Sequence, residues 1–193
     1  MTLSYNNKHQ NIELLVNGGV QFIGETNEAF DSASVQSDIS VPNIGMLRAT
    51  YYFEINVLSG GDLSEIGIGL SEENSDLNAL PGWMINTYGY HGEDGKIFAA
   101  NGRGRPYGPT YTTNDIVGCG YNVKNRSCFF TKNGKHLGIA FKDVSNDVVW
   151  FPTIGLQSIG SKVEVNFGSK PFAYNIELEN ILQEAHQKDL EIT

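Results

Sequence analysis

The sequence predicts an all-β protein built as a bent sandwich of two antiparallel sheets. Three observations support this class. Apolar residues recur at every second position in several segments, turns rich in Gly, Asn and Pro separate these segments, and helical periodicity appears only in the C-terminal tail. The 193 residues include 22 Gly, 9 Tyr and 10 Phe, which fits aromatic-rich strands joined by many turns. A chain of this length can bury a substantial core without disulfides or metal ions.

Four segments show the alternation of a strand with one buried face: 51–58, 66–70, 117–123 and 163–167. Successive side chains of a pleated strand point to opposite faces, so every second residue of these segments should face the core. Four such strands require a shared core. The side chains expected to point inward include Phe53, Ile55, Ile68, Val165 and Phe167.

Local turn and cysteine patterns sharpen this picture. The Asn133-Gly134 pair lies between two apolar segments and tolerates the positive φ of a tight hairpin, so it predicts a β-hairpin there. A second turn near Asn125 would place Cys119 and Cys128 on neighbouring strands, offset from one another. We expect both cysteines to be buried, reduced and unbonded.

The C-terminal tail has a different periodicity. Leu178, Ile181, Leu182 and Ala185 fall at helical spacing, with polar residues between them. The sequence therefore predicts one domain over residues 10–177 and a short helical tail over residues 178–193.

The charge and the lengths of the apolar runs argue against nucleic-acid binding, membrane binding and a membrane span. The formal net charge is −9, which disfavours binding to nucleic acid or to anionic membranes. No apolar run approaches the roughly 20 residues that span a bilayer, and the first residues lack the apolar stretch of a secretory signal. We expect a cytoplasmic protein. The nucleus is a second expected location, and secretion is an alternative if the sequence is a truncated part of its native chain.

The residues give no support to catalysis, a cofactor or a metal site. No nucleophile elbow, Walker loop or zincin helix appears, and the stretch 102–106 lacks the final glycine and the helix of a phosphate cradle. The acidic loop 72–76 lacks the ligand spacing of a calcium loop. His91 is the one histidine close to carboxylates, Glu93 and Asp94. We expect it to end a strand and to hydrogen-bond into the acidic turn. An enzyme that uses His91 with Glu93 or Asp94 is the less favoured alternative.

The stretch 77–83 places large apolar side chains where Asn, Pro and Gly prevent a regular element. Two interpretations of Trp83 stand: it plugs the end of the sandwich, or it helps to form a recognition surface with Leu80.

Many short motifs occur together in one order along residues 10–177. They are Tyr51-Tyr52-Phe53-Glu54, Ile66-Gly67-Ile68-Gly69-Leu70-Ser71, Leu80-Pro81-Gly82-Trp83, Tyr88-Gly89-Tyr90-His91-Gly92, Pro106-Tyr107-Gly108-Pro109-Thr110, Thr131-Lys132-Asn133-Gly134, Leu137-Gly138-Ile139-Ala140-Phe141, Pro152-Thr153-Ile154-Gly155-Leu156-Gln157 and Asn166-Phe167-Gly168. This order resembles the SPRY family, particularly the SPRY domain of the Ran-binding protein M group.

The resemblance implies a non-enzymatic protein-binding module whose loops at one end of the sandwich bind a short peptide segment of a partner protein. It also implies an adaptor or scaffold role in a ubiquitin ligase assembly of the CTLH type. Carried over to this chain, the partner-binding residues would be Gln36, Ser37, Asp38, Asn78, Leu80, Trp83, Gln157, Ser158 and Ile159.

Departures from the family pattern leave alternatives open. The segment before Tyr51 lacks the arginine of close relatives in its strand 35–38 and has a longer connection at 42–50, so the ligand preference of relatives need not transfer. A secreted effector that binds a host protein is one alternative. A carbohydrate-binding sandwich is another, suggested by Tyr, Trp, Asn and Asp in loops.

Overall fold

A computed structural model describes residues 1–25, 31–41, 50–100 and 102–181 and confirms the all-β class. These residues form fourteen strands, a 3-10 turn at Val16–Gly18 and a helical segment at 176–181. In chain order the strands are β1 (Leu3–Lys8), β2 (Ile12–Leu15), β3 (Gly19–Phe22), β4 (Ala33–Ser37), β5 (Thr50–Gly60), β6 (Ile66–Glu72), β7 (Thr87–His91), β8 (Lys96–Ala99), β9 (Arg105–Pro106), β10 (Ile116–Asn122), β11 (Ser127–Lys132), β12 (Lys135–Phe141), β13 (Trp150–Leu156) and β14 (Ser161–Asn166).

The strands form two sheets of seven, and all described pairings are antiparallel. The first sheet has the order β1-β4-β13-β6-β7-β8-β9 and the second has the order β12-β11-β10-β5-β14-β3-β2. Strands that are distant in sequence lie side by side, so most of the contacts that hold the sandwich together are long-range.

The core lies between the inner faces of the two sheets, as the alternating pattern predicts. β5 lies between β10 and β14 in the second sheet, and its Phe53 and Ile55 are fully buried. Ile68 and Val165 are buried as well, and Phe167 packs against the core while partly buried. Full burial of one such side chain contributes about 1.5 to 3 kcal/mol to stability. The predicted inward positions are confirmed.

The predicted hairpin and the cysteine offset are also confirmed. Asn133 and Gly134 both have positive φ, 50° and 75°, in the turn between β11 and β12. Cys119 lies opposite Phe130 and Cys128 lies opposite Tyr121, so the two cysteines are diagonal neighbours. Their sulfur atoms are 3.9 Å apart and both side chains are buried.

The first strand lies outside the predicted domain boundary at residue 10, and the helical tail begins slightly before the predicted boundary at residue 177. β1 lies before residue 10 and pairs with β4 in the first sheet. Helical structure begins at residue 176 rather than 178. Leu182 and Ala185 of the predicted helix lie outside the described residues, as does the connection 42–49 that departs from the family pattern.

Candidate protein-binding site

The outer face of the first sheet carries a row of small side chains. Antiparallel pairing aligns Ser34 of β4, Gly155 of β13 and Gly67 of β6 across three adjacent strands. Gly89 of β7 lies on the same face, one row along. Because these residues have little or no side chain, a further segment of backbone can approach the sheet closely.

Residues 77–83, here called the crossing loop, occupy this row. The loop begins over β4, where the Ser34 amide donates to the Leu77 carbonyl at 2.9 Å and the Ser34 hydroxyl donates to the Ala79 carbonyl at 2.6 Å. Leu80 then packs on Gly155, where a Cβ would lie 2.6 Å from a Leu80 methyl carbon. Leu80 is 1% exposed, so it supports the loop from below.

The loop continues over β6 and β7 with its backbone almost in contact with the sheet. A Cβ on Gly89 would lie 1.8 Å from the Pro81 carbonyl oxygen, so only glycine fits there. Gly82 has a φ of 100°, a backbone conformation that favours glycine, and its amide donates to the Thr87 hydroxyl at 2.9 Å. These contacts fix the path of the loop across the sheet.

His91 supports the loop from the sheet. It is the last residue of β7, as predicted, and it is fully buried. Its Nε2 donates to the Pro81 carbonyl at 2.9 Å, and its ring stacks on Phe98 with centroids 4.2 Å apart. Its Nδ1 lies 3.5 Å from the Glu93 carboxylate and makes no hydrogen bond, so the ring bonds to the crossing loop and not, as expected, to the acidic turn. A buried imidazole between two aromatic rings and a carbonyl positions the loop.

The crossing loop ends in an apolar turn that faces solvent. Trp83 is half-buried and packs edge-on against His91 and Phe98, with centroids 5.5 and 6.5 Å away. Met84 and Ile85 follow it and are 37% and 74% exposed. We call residues 83–85 the apolar tip. One part of the Trp83 ring therefore packs on the sheet, as the first interpretation expects, while the accessible part leaves its role in recognition a prediction.

Met84 and Ile85 were missed by the sequence analysis. The signal was available, because Trp83, Met84 and Ile85 are three consecutive apolar residues in a segment of turns. Their backbone is held in place: the Thr87 hydroxyl donates to the Met84 carbonyl at 2.6 Å, and the Asn86 amide group donates to the Glu72 carboxylate at 3.0 Å. An exposed apolar group on a fixed turn is typical of a protein-binding surface.

Five of the nine predicted contact residues lie inside the structure. The buried residues are Gln36, Ser37, Leu80, Gln157 and Ser158. Asp38, Asn78 and Ile159 are exposed, and Trp83 is half-buried. The role of all nine as partner contacts stays a prediction.

The three predicted segments do not converge at one end of the sandwich. Gln36 pairs with Thr153 in the middle of β13, whereas Gln157 follows the end of β13 beside Ser32. The crossing loop passes between these two groups over Ser34 and Gly155. Residues 36–38 and 157–159 therefore lie on opposite sides of the loop.

The buried polar side chains hold strands together. Gln36 donates through Nε2 to the Ser71 hydroxyl and to the Glu72 carbonyl, both at 2.7 Å. Ser71 in turn lies 2.5 Å from the Thr153 hydroxyl. On the far side of the loop, the Ser32 hydroxyl donates to Gln157 Oε1 at 2.6 Å. Leaving one such group without its partner costs about 1 to 3 kcal/mol, so these residues have a structural role.

Two carboxylates near the predicted contact residues, Asp38 and Glu65, belong to local networks. Burial acts to raise the pKa of Asp38, but hydrogen bonds from the Thr2 amide and hydroxyl, both 2.8 Å long, hold it below its ordinary value. Burial and then the nearby Glu93 carboxylate raise the pKa of Glu65.

Within the described residues, no three His, Cys, Asp or Glu side chains are grouped to hold a metal ion. In the same part of the chain, no helix is both long and apolar enough to cross a membrane.

Comparison with known proteins identifies the family. The family model for the SPRY domain matches residues 50–170, which is more than half of the chain. The chain belongs to the SPRY family. SPRY domains are protein–protein interaction modules, and the predicted resemblance is confirmed.

Curated relatives place the chain beside the Ran-binding protein M group. Over 158 residues, or 82% of this chain, it is 45% identical to Ran-binding protein 9 of Danio rerio and to Ran-binding protein 9 of Homo sapiens, covering 26% and 21% of those proteins. It is 43% identical over 127 residues to the Ran-binding protein M homolog of Arabidopsis thaliana, covering 66% of this chain and 27% of that protein. The chain thus spans about a quarter of the length of the curated relatives it matches.

Solved structures confirm the fold. A human SPRY domain superposes with a TM-score of 0.73 at 25% identity, covering 84% of this chain and 98% of that one. The SPRY domain of human HERC1 superposes with a TM-score of 0.70 at 14% identity, covering 88% and 99%, which supports the fold alone.

Proposed function

We propose that this SPRY domain is a non-enzymatic module that binds a short segment of a partner protein through the apolar tip. The observation that carries the proposal is the contrast between the tip and the loop that holds it: Ile85 is 74% exposed, while the crossing loop is fixed by the packing of Leu80 on Gly155 and by the hydrogen bond from His91 to the Pro81 carbonyl. A fixed surface loses little conformational entropy when it binds, so its apolar area contributes efficiently to affinity.

The side chains of the tip suit this role. Binding energy concentrates in a few residues, and Trp is enriched among them. Trp83 offers a partly accessible ring flanked by Met84, a flexible side chain that adapts to the shape of a partner. A segment with one or two apolar residues would fit this surface.

Crosslinking and mass spectrometry of partners bound to the intact protein test the proposal. Ile85→Ser should remove crosslinks to a linear segment of the partner while leaving the melting temperature unchanged, because Ile85 is mostly exposed. The matched control is Val16→Ser, since Val16 is an 89% exposed apolar residue on the 3-10 turn of the other sheet. Equal crosslinking by wild type and Ile85→Ser would show that the tip is not the binding surface.

We further propose that the full-length protein is a cytoplasmic adaptor or scaffold of a ubiquitin ligase assembly. The resemblance to the Ran-binding protein M group supports this role. The protein immunoprecipitated from its native cells should bring down ubiquitin-transfer activity. Ile85→Ser should keep that activity and lose ubiquitination of the bound partner. A precipitate without any ubiquitin transfer would contradict the ligase role and leave the peptide-binding role standing.

A further inference from the structure

The charges of this acidic chain are unevenly distributed. Residues 96–142 contain eight of the 13 Lys and Arg residues and one of the 22 Asp and Glu residues. The remainder of the chain is therefore far more acidic than the net charge of −9 suggests. This basic segment builds β8 to β12, which include one edge strand of each sheet.

The two edge strands meet, and an arginine joins them. The Arg105 guanidinium of β9 donates to the Ala140 carbonyl of β12, and its central carbon lies 5.5 Å from the centre of the Phe141 ring. Tyr107 adds a second link, because its hydroxyl donates to the Gly138 carbonyl at 2.5 Å. These contacts join the first sheet to the second sheet where β9 and β12 meet.

Further basic side chains surround this junction between the sheets. Arg103 and Lys142 flank it in sequence and both are exposed. Arg126 joins them from the β10–β11 turn: its side chain donates to the Val144 carbonyl at 3.2 Å and its own carbonyl accepts from the Val144 amide at 3.0 Å. We call Arg103, Arg105, Arg126 and Lys142 the basic rim. Asp143 is an exposed acidic residue beside it.

The basic rim begins next to the apolar tip. A Cβ on Gly104 would lie 2.4 Å from the tip of the Phe98 ring, so the backbone between Arg103 and Arg105 rests on that ring. Phe98 also packs against Trp83, with centroids 6.5 Å apart. A single aromatic side chain therefore separates the tip from the rim, and a short extended segment can reach both.

We propose that the basic rim binds carboxylate side chains of the same partner segment whose apolar residue sits on the apolar tip, so the ligand is an acidic peptide. This inference rests on the proposed function and adds the charge of the ligand to it. The acidic remainder of the chain repels such a peptide elsewhere, so the rim steers it to the tip. Long polyanions are disfavoured because they would extend onto the acidic surfaces.

A displayed library of random dodecapeptides, selected on the intact protein, tests this directly. Selected peptides should combine an aromatic or aliphatic residue with two or more Asp or Glu residues. Their affinity should fall when NaCl rises from about 50 to about 300 mM, because salt screens contacts between exposed charges. The double variant Arg103→Glu with Lys142→Glu should bind them about tenfold more weakly.

The control variant is Lys162→Glu, which makes one of the same charge changes on the outer face of the second sheet. It should change the affinity by less than about twofold. The inference is overturned if selected peptides lack acidic residues, if affinity is independent of salt, or if Lys162→Glu weakens binding as much as the double variant. It is also overturned if oligouridylate or phosphatidylserine vesicles displace the peptides from the rim.

The same peptides separate the two proposals. If Ile85→Ser abolishes their binding and the double charge reversal does not, the rim is not a contact and the proposed function stands. If Ile85→Ser has no effect while the charge reversal does, the rim binds acidic peptides and the proposed tip is wrong.

Discussion

The two sheets have outer faces that are both covered by another part of the chain, but the covers are built differently. On the first sheet, Gly and Ser side chains let the backbone of the crossing loop lie almost on the strands. On the second sheet, residues 171–176, here called the C-terminal strap, pack their side chains onto Tyr52 and Phe129. The crossing loop buries Leu80 and continues into the apolar tip, where Ile85 is 74% exposed. The C-terminal strap ends in Ile176, which is 6% exposed, so this cover presents less apolar surface to solvent.

A single carboxylate clamps the C-terminal strap. Glu54 of β5 is 4% exposed and accepts the backbone amides of Ala173 and Tyr174, both at 3.0 Å. The Tyr52 hydroxyl also donates to it, at 2.8 Å, and the Tyr52 ring packs edge-on against Phe172 with centroids 5.0 Å apart. The strap therefore acts as a brace, whereas the crossing loop presents a surface.

The largest effect is expected where the crossing loop approaches the first sheet most closely. Gly89→Ala should lower the free energy of unfolding by about 3 kcal/mol or more, because the new methyl group would overlap the Pro81 carbonyl oxygen. Urea denaturation measures this loss. The matched control is Gly102→Ala, where a Cβ has no heavy atom within 4 Å. Equal midpoints for the two variants would show that the loop is not packed on the sheet.

The next effect concerns the strap. Glu54→Gln should lower the free energy of unfolding by about 2 kcal/mol. The side-chain NH2 group of Gln would face one backbone amide of the strap, so two donors would meet without an acceptor. Hydrogen exchange at Ala173 and Tyr174 should accelerate, while partner binding at the apolar tip stays unchanged. Glu164→Gln is the control on the same face, since its pair with Lys170 is solvent-exposed and contributes little. Loss of tip binding in Glu54→Gln would show that the two covers are coupled.

This contrast also explains what the sequence could predict. The Asn133-Gly134 hairpin and the inward face of β5 depend on neighbouring residues, so local patterns were sufficient. Alternation correctly placed Glu54 on the opposite face from Phe53, but nothing local reveals that the strap, 119 residues later, covers it. The family resemblance located the crossing loop and could not show that Leu80 points inward while Ile85 points outward.

The buried state of the predicted contact residues escaped the sequence for the same reason. Gln157 meets Ser32 across 125 residues and Gln36 meets Ser71 across 35. Polar residues near strand ends are usually exposed, so solvent contact was the natural expectation. Only the three-dimensional pairing of β4 with β13 and the loop above it remove them from solvent.

A smaller effect should distinguish the two roles of Trp83. Trp83→Ala should lower the free energy of unfolding by about 1 to 2 kcal/mol, below the value for a fully buried Trp, because its ring is half-buried. It should also weaken a tip-binding peptide by about tenfold or more. Ile85→Ser should show the affinity loss without the stability loss. Normal peptide binding by Trp83→Ala would show that Trp83 packs on the sheet and does not contact the partner.

The smallest expected effect is a pH dependence of the stability of the domain, caused by His136 beside the C-terminal strap. His136 of β12 stacks on Phe129 with centroids 4.4 Å apart, and its Nδ1 accepts the Gly138 amide at 2.8 Å. Burial lowers the pKa of His136, although the Glu179 carboxylate acts in the opposite direction. The folded state therefore binds fewer protons than the unfolded state when the pH falls below about 6.5, the ordinary pKa of histidine. Stability is fully present above that pH and is lost as the pH falls toward the folded pKa.

His136→Asn keeps an acceptor for the Gly138 amide and does not titrate, so it should reduce the loss of stability between about pH 7.5 and about pH 5.5. Urea midpoints at the two pH values measure this change, and an NMR titration of the His136 ring gives the direction of its pKa shift independently. Peptide affinity at the apolar tip should show no matching change, because His136 and the strap lie on the other sheet. A His136 ring that titrates above 6.5 would reverse the sign, since the folded state would then hold the extra proton and the domain would gain stability on acidification. That outcome would mean that Glu179, and not the packing on Phe129, dominates the environment of this ring.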